Sequence, residues 1–164
     1  MNQPDAQLEF RQATINDLDY LTDRTYQLHQ FETKDSLTTP TVKQDFKRHL
    51  KDWLSLELNL PESILFLSYL DSTAVGFAHI KVVPVNNNFT DITHYGLVQS
   101  LWLEETCRKK SFGKQTVQFI EQLFKEQRLP YYDVEYAANN KVAEKFWDSV
   151  GLIPTSVTCR KQLQ

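Results

Sequence analysis

The stretch from Tyr95 to Gln127 limits the possible folds more than any other, because its hydrophobic period changes partway along. Leu97, Val98, Leu101, Trp102 and Leu103 put apolar side chains on both faces of one short run. That is the pattern of a strand covered on two sides, and it predicts a place inside the sheet. From Gly113 onward Val117, Ile120, Leu123 and Phe124 recur at spacings of three and four, between the polar Gln118, Glu121, Gln122 and Lys125. This predicts a helix with one apolar face, running to about Arg128. Cys107-Arg-Lys-Lys-Ser-Phe-Gly-Lys114 joins the two.

A turn that ends a buried strand and opens a helix presents backbone amides with no intrahelical acceptor, and the aligned peptide dipoles add partial positive charge there. Such a turn is an anion site. Arg108, Lys109, Lys110 and Lys114 add full charges, and Gly113 lets the backbone come close, which points to a pyrophosphate rather than one carboxylate. The plain alternative is a solvated basic turn. The whole chain carries a formal charge of −3 with a pI near 5.8, so it lacks the broad basic face that nucleic acid requires. Four clustered cations suit a small phosphorylated ligand.

The remaining elements follow from pattern. Leu8 to Ala13 reads as a strand, and Thr14-Ile-Asn-Asp17 as a capping box that opens a helix through about Leu28, with Leu18, Leu21, Thr25 and Leu28 on one face. Phe31 to Thr39 is expected to be a loop. Pro40 opens a second helix, Thr41 to about Leu56, whose Val42, Phe46, His49 or Leu50, and Trp53 are expected in the core. Ser63 to Tyr69 and Ala74 to Val83 form a hairpin across Asp71-Ser-Thr73, and Pro84 to Thr90 is a longer turn. After the central strand and its helix come a strand from Tyr131 to Tyr136, a helix from Asn140 to Val150 stopped by Gly151, and a closing strand from Thr155 to Leu163. The order β, α, α, β, β, β, α, β, α, β describes a mixed α/β chain, antiparallel in its first half, with helices on both faces.

Arg108-Lys-Lys-Ser111-Phe-Gly113 resembles the Arg/Gln-x-x-Gly-x-Gly/Ala motif that follows the central strand in the GNAT superfamily of N-acetyltransferases, with Ser111 where glycine is usual. Asn140-Lys-Val-Ala143-Glu-Lys-Phe146-Trp147-Asp-Ser-Val-Gly151-Leu152 resembles that family's second signature, with Trp147 where tyrosine is usual. Together the motifs carry the resemblance over roughly the last two thirds of the chain. A length of 164 residues predicts one domain, 1–164, and the resemblance implies for it a GNAT-like α+β fold with a mixed sheet of six or seven strands. It implies acetyl-CoA as cosubstrate and a primary amine of a small molecule or protein as acceptor.

It further implies that the cofactor arm runs along the backbone of Leu101, Trp102 and Leu103. The pyrophosphate then lies on the turn of Arg108, Lys109, Lys110, Ser111, Phe112, Gly113 and Lys114, and Asn140 and Trp147 complete the binding set. Many members carry a carboxylate on the central strand to take the amine's proton. Leu97 to Leu103 has none, which leaves Gln99 or Ser100 to orient a water, or His94 to act as base. Indole has no proton to release near neutral pH, so Trp147 is expected to pack rather than protonate the leaving thiolate. The alternative function is an acyl-CoA-binding sensor or regulatory protein of the same fold with little or no turnover.

Nothing at the N-terminus resembles a secretory signal, and the longest apolar run, Ile64 to Leu70, is far shorter than the roughly 20 residues of a membrane span. Cys107 and Cys159 do not make a disulfide framework, and the four histidines show no metal-binding spacing. A cytoplasmic protein without a metal, a nucleic acid or a membrane as partner is expected, and a homodimer is left open.

Overall fold

A computed structural model describes residues 6–34, 42–161 and 163. Its five-stranded sheet has the order β1-β2-β3-β4-β5, formed by Glu9–Gln12, Ser63–Leu70, Thr73–Pro84, His94–Leu103 and Tyr132–Val134. The first four strands are antiparallel neighbours, and β5 joins β4 in parallel after a crossover. The crossover is α3 (Phe112–Glu126); α1 (Leu18–Thr33) and α2 (Phe46–Glu57) precede the hairpin, and α4 (Lys141–Ser149) follows β5.

Alternation along the strands divides the core in two. Phe66, Ala78, Ile80 and Val98 point to the face covered by α3 and α4, against Val117, Ile120, Phe124 and Trp147. Leu65, Leu67 and Phe77 point the other way, against Leu21, Leu50 and Leu54 of α1 and α2. The expectation of helices on both faces is borne out.

The Thr14 N–H donates to the Asp17 carboxylate at 2.8 Å, closing the expected capping box, and Arg11 grips the same carboxylate at 2.7 Å. Burial of Asp17 works against its charge, but these hydrogen bonds hold its carboxyl below the usual range. α1 then runs past Leu28 to Thr33, so the loop expected from Phe31 begins later. His29 packing on Phe46, with ring centroids 4.6 Å apart, and the Thr33 hydroxyl donating to the His29 carbonyl hold this extra turn. The rest of that loop, 35–39, lies outside the described residues, as do Pro40 and Thr41. α2 starts at Phe46, where Asp45 is the N-cap.

The expected closing strand is absent among the described residues of 155–163, which are exposed and have no ladder partner. Among the described residues the sheet therefore has five strands rather than six or seven. β5 has only three residues because it diverges from β4, so it offers a closing strand little edge to pair with. No described helix is long and apolar enough to cross a membrane.

Candidate active site

β4 and β5 pair only where Gly96, Leu97 and Val98 meet Tyr132, Asp133 and Val134. Beyond Val98 the strands separate, leaving one edge of Gln99 to Leu103 without a strand neighbour. The other edge stays on β3, with an irregularity: Val98 pairs with Ile80 and Ser100 with His79, so Gln99 is the extra residue of a bulge. The gap opens into a cavity of about 580 Å³, lined by Val98 to Leu103 of β4 and by Val134, Glu135 and Tyr136 at the end of β5.

At one end of this cavity lies the basic turn. Ser111 is the N-cap of α3 and has φ of 60°, and Lys109 has φ of 61°. The first intrahelical bond is from the Gln115 amide to the Ser111 carbonyl, so the amides of Phe112, Gly113 and Lys114 have no helical acceptor. The left-handed backbone at Ser111 explains why glycine is usual there, since an L-residue in that region costs about 1 kcal/mol or more. The Ser111 side chain makes no capping bond to the helix. Ser111→Gly is accordingly expected to raise unfolding stability by about 1 kcal/mol in urea titration; a loss of stability would show that the hydroxyl's bond to the Lys110 carbonyl, 2.6 Å, outweighs the backbone strain.

Most of the sequence-predicted residues meet here. Leu101, Trp102, Leu103, Arg108, Lys109, Ser111, Gly113, Lys114, Asn140 and Trp147 line the cavity, as does Gln99. Arg108 is already engaged: its Nε donates to the Leu103 carbonyl at 2.9 Å and its guanidinium lies 4.6 Å from the Trp102 ring centroid. Lys109 and Lys114 therefore carry the less committed charge. Gly113 serves a purpose the spacing did not show, since a Cβ there would meet the Phe146 ring of α4 at 2.7 Å. Trp147 is 6 % exposed and packs in the core with Val98 and Ile120, as expected of a packing residue.

Three residues fall elsewhere. Lys110 does not line the cavity, and Phe112 is buried with Leu8, Val75, Leu103 and Cys107, so its backbone alone faces the turn. His94 stands at the far end of β4, about 16 Å from Gln99 at strand rise. It lines a separate depression with Asp91, Arg128 and Pro130, which removes it as a base for chemistry in the main cavity.

Other cavity residues were not singled out from the sequence as site residues. Thr25, Leu28, His29 and Glu32 recur at helical spacing along α1, and Phe46, Leu50 and Trp53 do so along α2, so each helix turns one stripe toward the cavity. Leu50 is buried core, whereas Phe46 and Trp53 are half-buried and also wall the cavity. Glu104, just past the central strand, accepts from Arg24 and from Tyr20 at 3.2 Å, so it ties α1 to the end of β4. Burial and the Glu104 charge push the Tyr20 phenol up to about 12. Tyr136 is the one phenol among the described lining residues.

Solved structures share this architecture. A predicted acetyltransferase from Clostridium acetobutylicum, determined with acetyl-CoA, superposes with a TM-score of 0.76 at 14 % identity, covering 95 % of this chain and 96 % of that one. A GCN5-related N-acetyltransferase from Ralstonia eutropha gives 0.77 at 14 % identity, covering 95 % and 99 %. An aminoglycoside antibiotic 6'-N-acetyltransferase from Acinetobacter baumannii gives 0.71 at 12 %, covering 96 % and 99 %. At these identities the likeness is one of fold. No curated protein matches by sequence. The family model described as the acetyltransferase (GNAT) family matches residues 22–152, a span that holds α2, the splayed strands, the basic turn and both signature motifs, and the chain belongs to that family.

Proposed function

We propose that the chain transfers an acetyl group from acetyl-CoA to the primary amine of a small molecule or protein. The observation that carries this reading is the opening between β4 and β5, which joins the basic turn at one end to the α1 and α2 stripes at the other. The free amides at the start of α3, with Lys109 and Lys114, suit the pyrophosphate. The open edge of Leu101 to Leu103 supplies backbone groups for the amide-bearing arm. Those features fit acetyl-CoA, with which the Clostridium acetobutylicum structure was determined. When bound, it supplies a thioester carbonyl open to attack by an amine.

Gln99, lifted out of register by the bulge, is half of what the strand offers to that carbonyl; Ser100 is the other half. Neither takes a proton at neutral pH. Trp147 has no acidic proton either, so the phenol of Tyr136 is the chain's own donor to a departing thiolate. A second reading, acyl-CoA binding with little turnover, is favoured by Trp147 standing where the family has tyrosine. Release of free thiol from acetyl-CoA over a panel of amines separates the two.

Calorimetry with coenzyme A tests the site itself. Lys109→Ala and Lys114→Ala are each expected to weaken binding three- to tenfold at low salt, by loss of about 0.7 to 1.4 kcal/mol, with less effect as salt rises. Arg108→Ala should weaken it too, by freeing Trp102 as well as by removing charge. Unchanged affinity in all three variants would return the turn to a merely solvated one.

A further inference from the structure

We propose that Glu32 anchors the acceptor amine and takes its proton, and that the acceptor is a small monoamine with an aromatic or hydrocarbon body. This rests on the acetyl-transfer reading and says what the α1 and α2 side of the cavity selects.

Glu32 lies in the last turn of α1, half-buried, on the stripe that faces the cavity. Its carboxylate stands beside the side chain of Asn140, the N-cap of α4. The amide oxygen of Asn140 already accepts from the Ala143 N–H at 3.0 Å, which leaves its NH₂ as the group free to face Glu32. The carboxylate thus lies between the helix that walls the acceptor side and the helix that carries the second family motif.

No lysine or arginine of the described residues pairs with it, whereas Asp17 is matched by Arg11, Glu57 by Lys81 and Glu104 by Arg24. A carboxylate drawn out of water with only a neutral donor beside it is complementary to a cation brought by the ligand. Burial raises its carboxyl from the ordinary value, against the opposing pull of the Asn140 side chain, which makes it a better proton acceptor.

The surroundings describe the rest of the acceptor. His29, on the same stripe as Glu32, packs tilted against Phe46, and Trp53 and Phe146 continue the wall, so the body of the ligand meets aromatic surface. Among the described residues two carboxylates line the cavity, Glu32 and Glu135, against the cations Arg108, Lys109 and Lys114. A polycation would face repulsion with no matching acids, whereas one ammonium is satisfied by Glu32 alone.

In the step, one ammonium proton passes to the Glu32 carboxylate and the nitrogen lone pair forms the new C–N bond to the thioester carbonyl. The C–S bond breaks, and the second nitrogen proton leaves with the sulfur as free thiol. Glu32 then returns its proton to solvent. Among the described residues, the titrating and charged groups that line the same cavity are His29 one turn back on α1, Glu135 and Tyr136 just after β5, Arg108 and Lys109 from the turn, and Lys114 of α3; Asn140 of α4 and Phe46 of α2 are uncharged.

The test compares wild type with Glu32→Gln, on 2-phenylethylamine, hexylamine, spermidine and kanamycin, by thiol release at saturating acetyl-CoA. Expected are a kcat/KM for 2-phenylethylamine at least tenfold above that for either polycation, and a fall of a hundredfold or more in Glu32→Gln. Coenzyme A affinity by calorimetry should be unchanged in the variant, which also reports its folding, and the acid-side fall of kcat/KM in wild type should vanish. Equal activity of the variant, or a preference for kanamycin or spermidine, overturns the proposal. If wild type acetylates nothing while still binding coenzyme A, the acetyl-transfer reading falls, and tryptophan quenching by 2-phenylethylamine in the CoA-saturated protein decides the site. Saturable quenching that Glu32→Gln loses upholds the anchor; no quenching, or equal quenching in both, removes it.

Discussion

Gly113→Val is expected to lower coenzyme A affinity by at least tenfold and to cost about 1 to 3 kcal/mol of stability, the range for forcing extra atoms into packed space. A Cβ at this position would stand 2.7 Å from Cε2 and 3.1 Å from Cζ of Phe146, and valine adds two methyl groups beyond it. The ring has little room to yield, since Trp147 holds it edge-on at 4.9 Å and the core lies behind. Displacement must therefore move α3 away from α4 or push Phe146 into the cavity it lines. Either movement disturbs the amides at the start of α3, which are the groups assigned to the pyrophosphate. Helix propensity opposes this only weakly, because replacing glycine inside a helix gains less than about 1 kcal/mol. Calorimetry on variant protein shown by circular dichroism to be folded is the measurement. Wild-type affinity in a folded Gly113→Val protein would mean that the turn does not hold the cofactor.

That prediction shows where the sequence was informative and where it was not. The turn was legible because a change of hydrophobic period, a cluster of cations and a family motif coincide in adjacent residues, so local pattern and site are the same thing. Ser111 was visible as a departure, and its φ of 60° supplies the physical meaning of the missing glycine. Gly113 was read for backbone approach to a ligand, but the close neighbour is Phe146, and only the packing of α4 on α3 could show that.

The acceptor side was hidden for a different reason. Thr25, Leu28, His29 and Glu32 have the spacing of an ordinary amphipathic face, and nothing in such a stripe says whether it meets core or cavity. The helix was also expected to end near Leu28, which put Glu32 in a loop; the turn that holds it depends on Phe46 from another helix. The central strand carries no carboxylate, and no local pattern marks an acid that reaches the cavity from α1. The closing strand failed in the opposite sense. Thr155 to Leu163 has strand-forming residues, but a ladder needs an edge, and the three-residue β5 supplies a short one.

Behind the acceptor wall, His79 is expected to make the fold sensitive to mild acid. The residue is 1 % exposed on β3, with its ring 5.4 Å from that of Trp53, which walls the cavity. Its Nε2 lies 2.8 Å from the Ser63 hydroxyl and 3.2 Å from Glu57, while its buried Nδ1 has no partner among the described residues. Protonation would place a charge and an unmatched N–H in the core. Burial accordingly lowers its pKa to about 4, with Glu57 pulling upward and Lys81 adding to the fall.

A base whose folded pKa lies below its unfolded value contributes stability above about pH 6.5 and loses it as pH falls toward 4, because the unfolded chain binds the proton first. The difference corresponds to about 3 kcal/mol across that window. Urea midpoints measured from pH 7 to 4 should therefore fall steadily in wild type. In His79→Gln, which cannot charge, the slope between pH 6.5 and 4 should flatten. Its loss below about pH 4 should remain, because Asp17, Asp19 and Glu57, whose carboxyls are held below their usual range, are protonated there. Parallel slopes in the two proteins would place the acid sensitivity in some other group, and the His79 ring would then be accommodating its proton through Glu57.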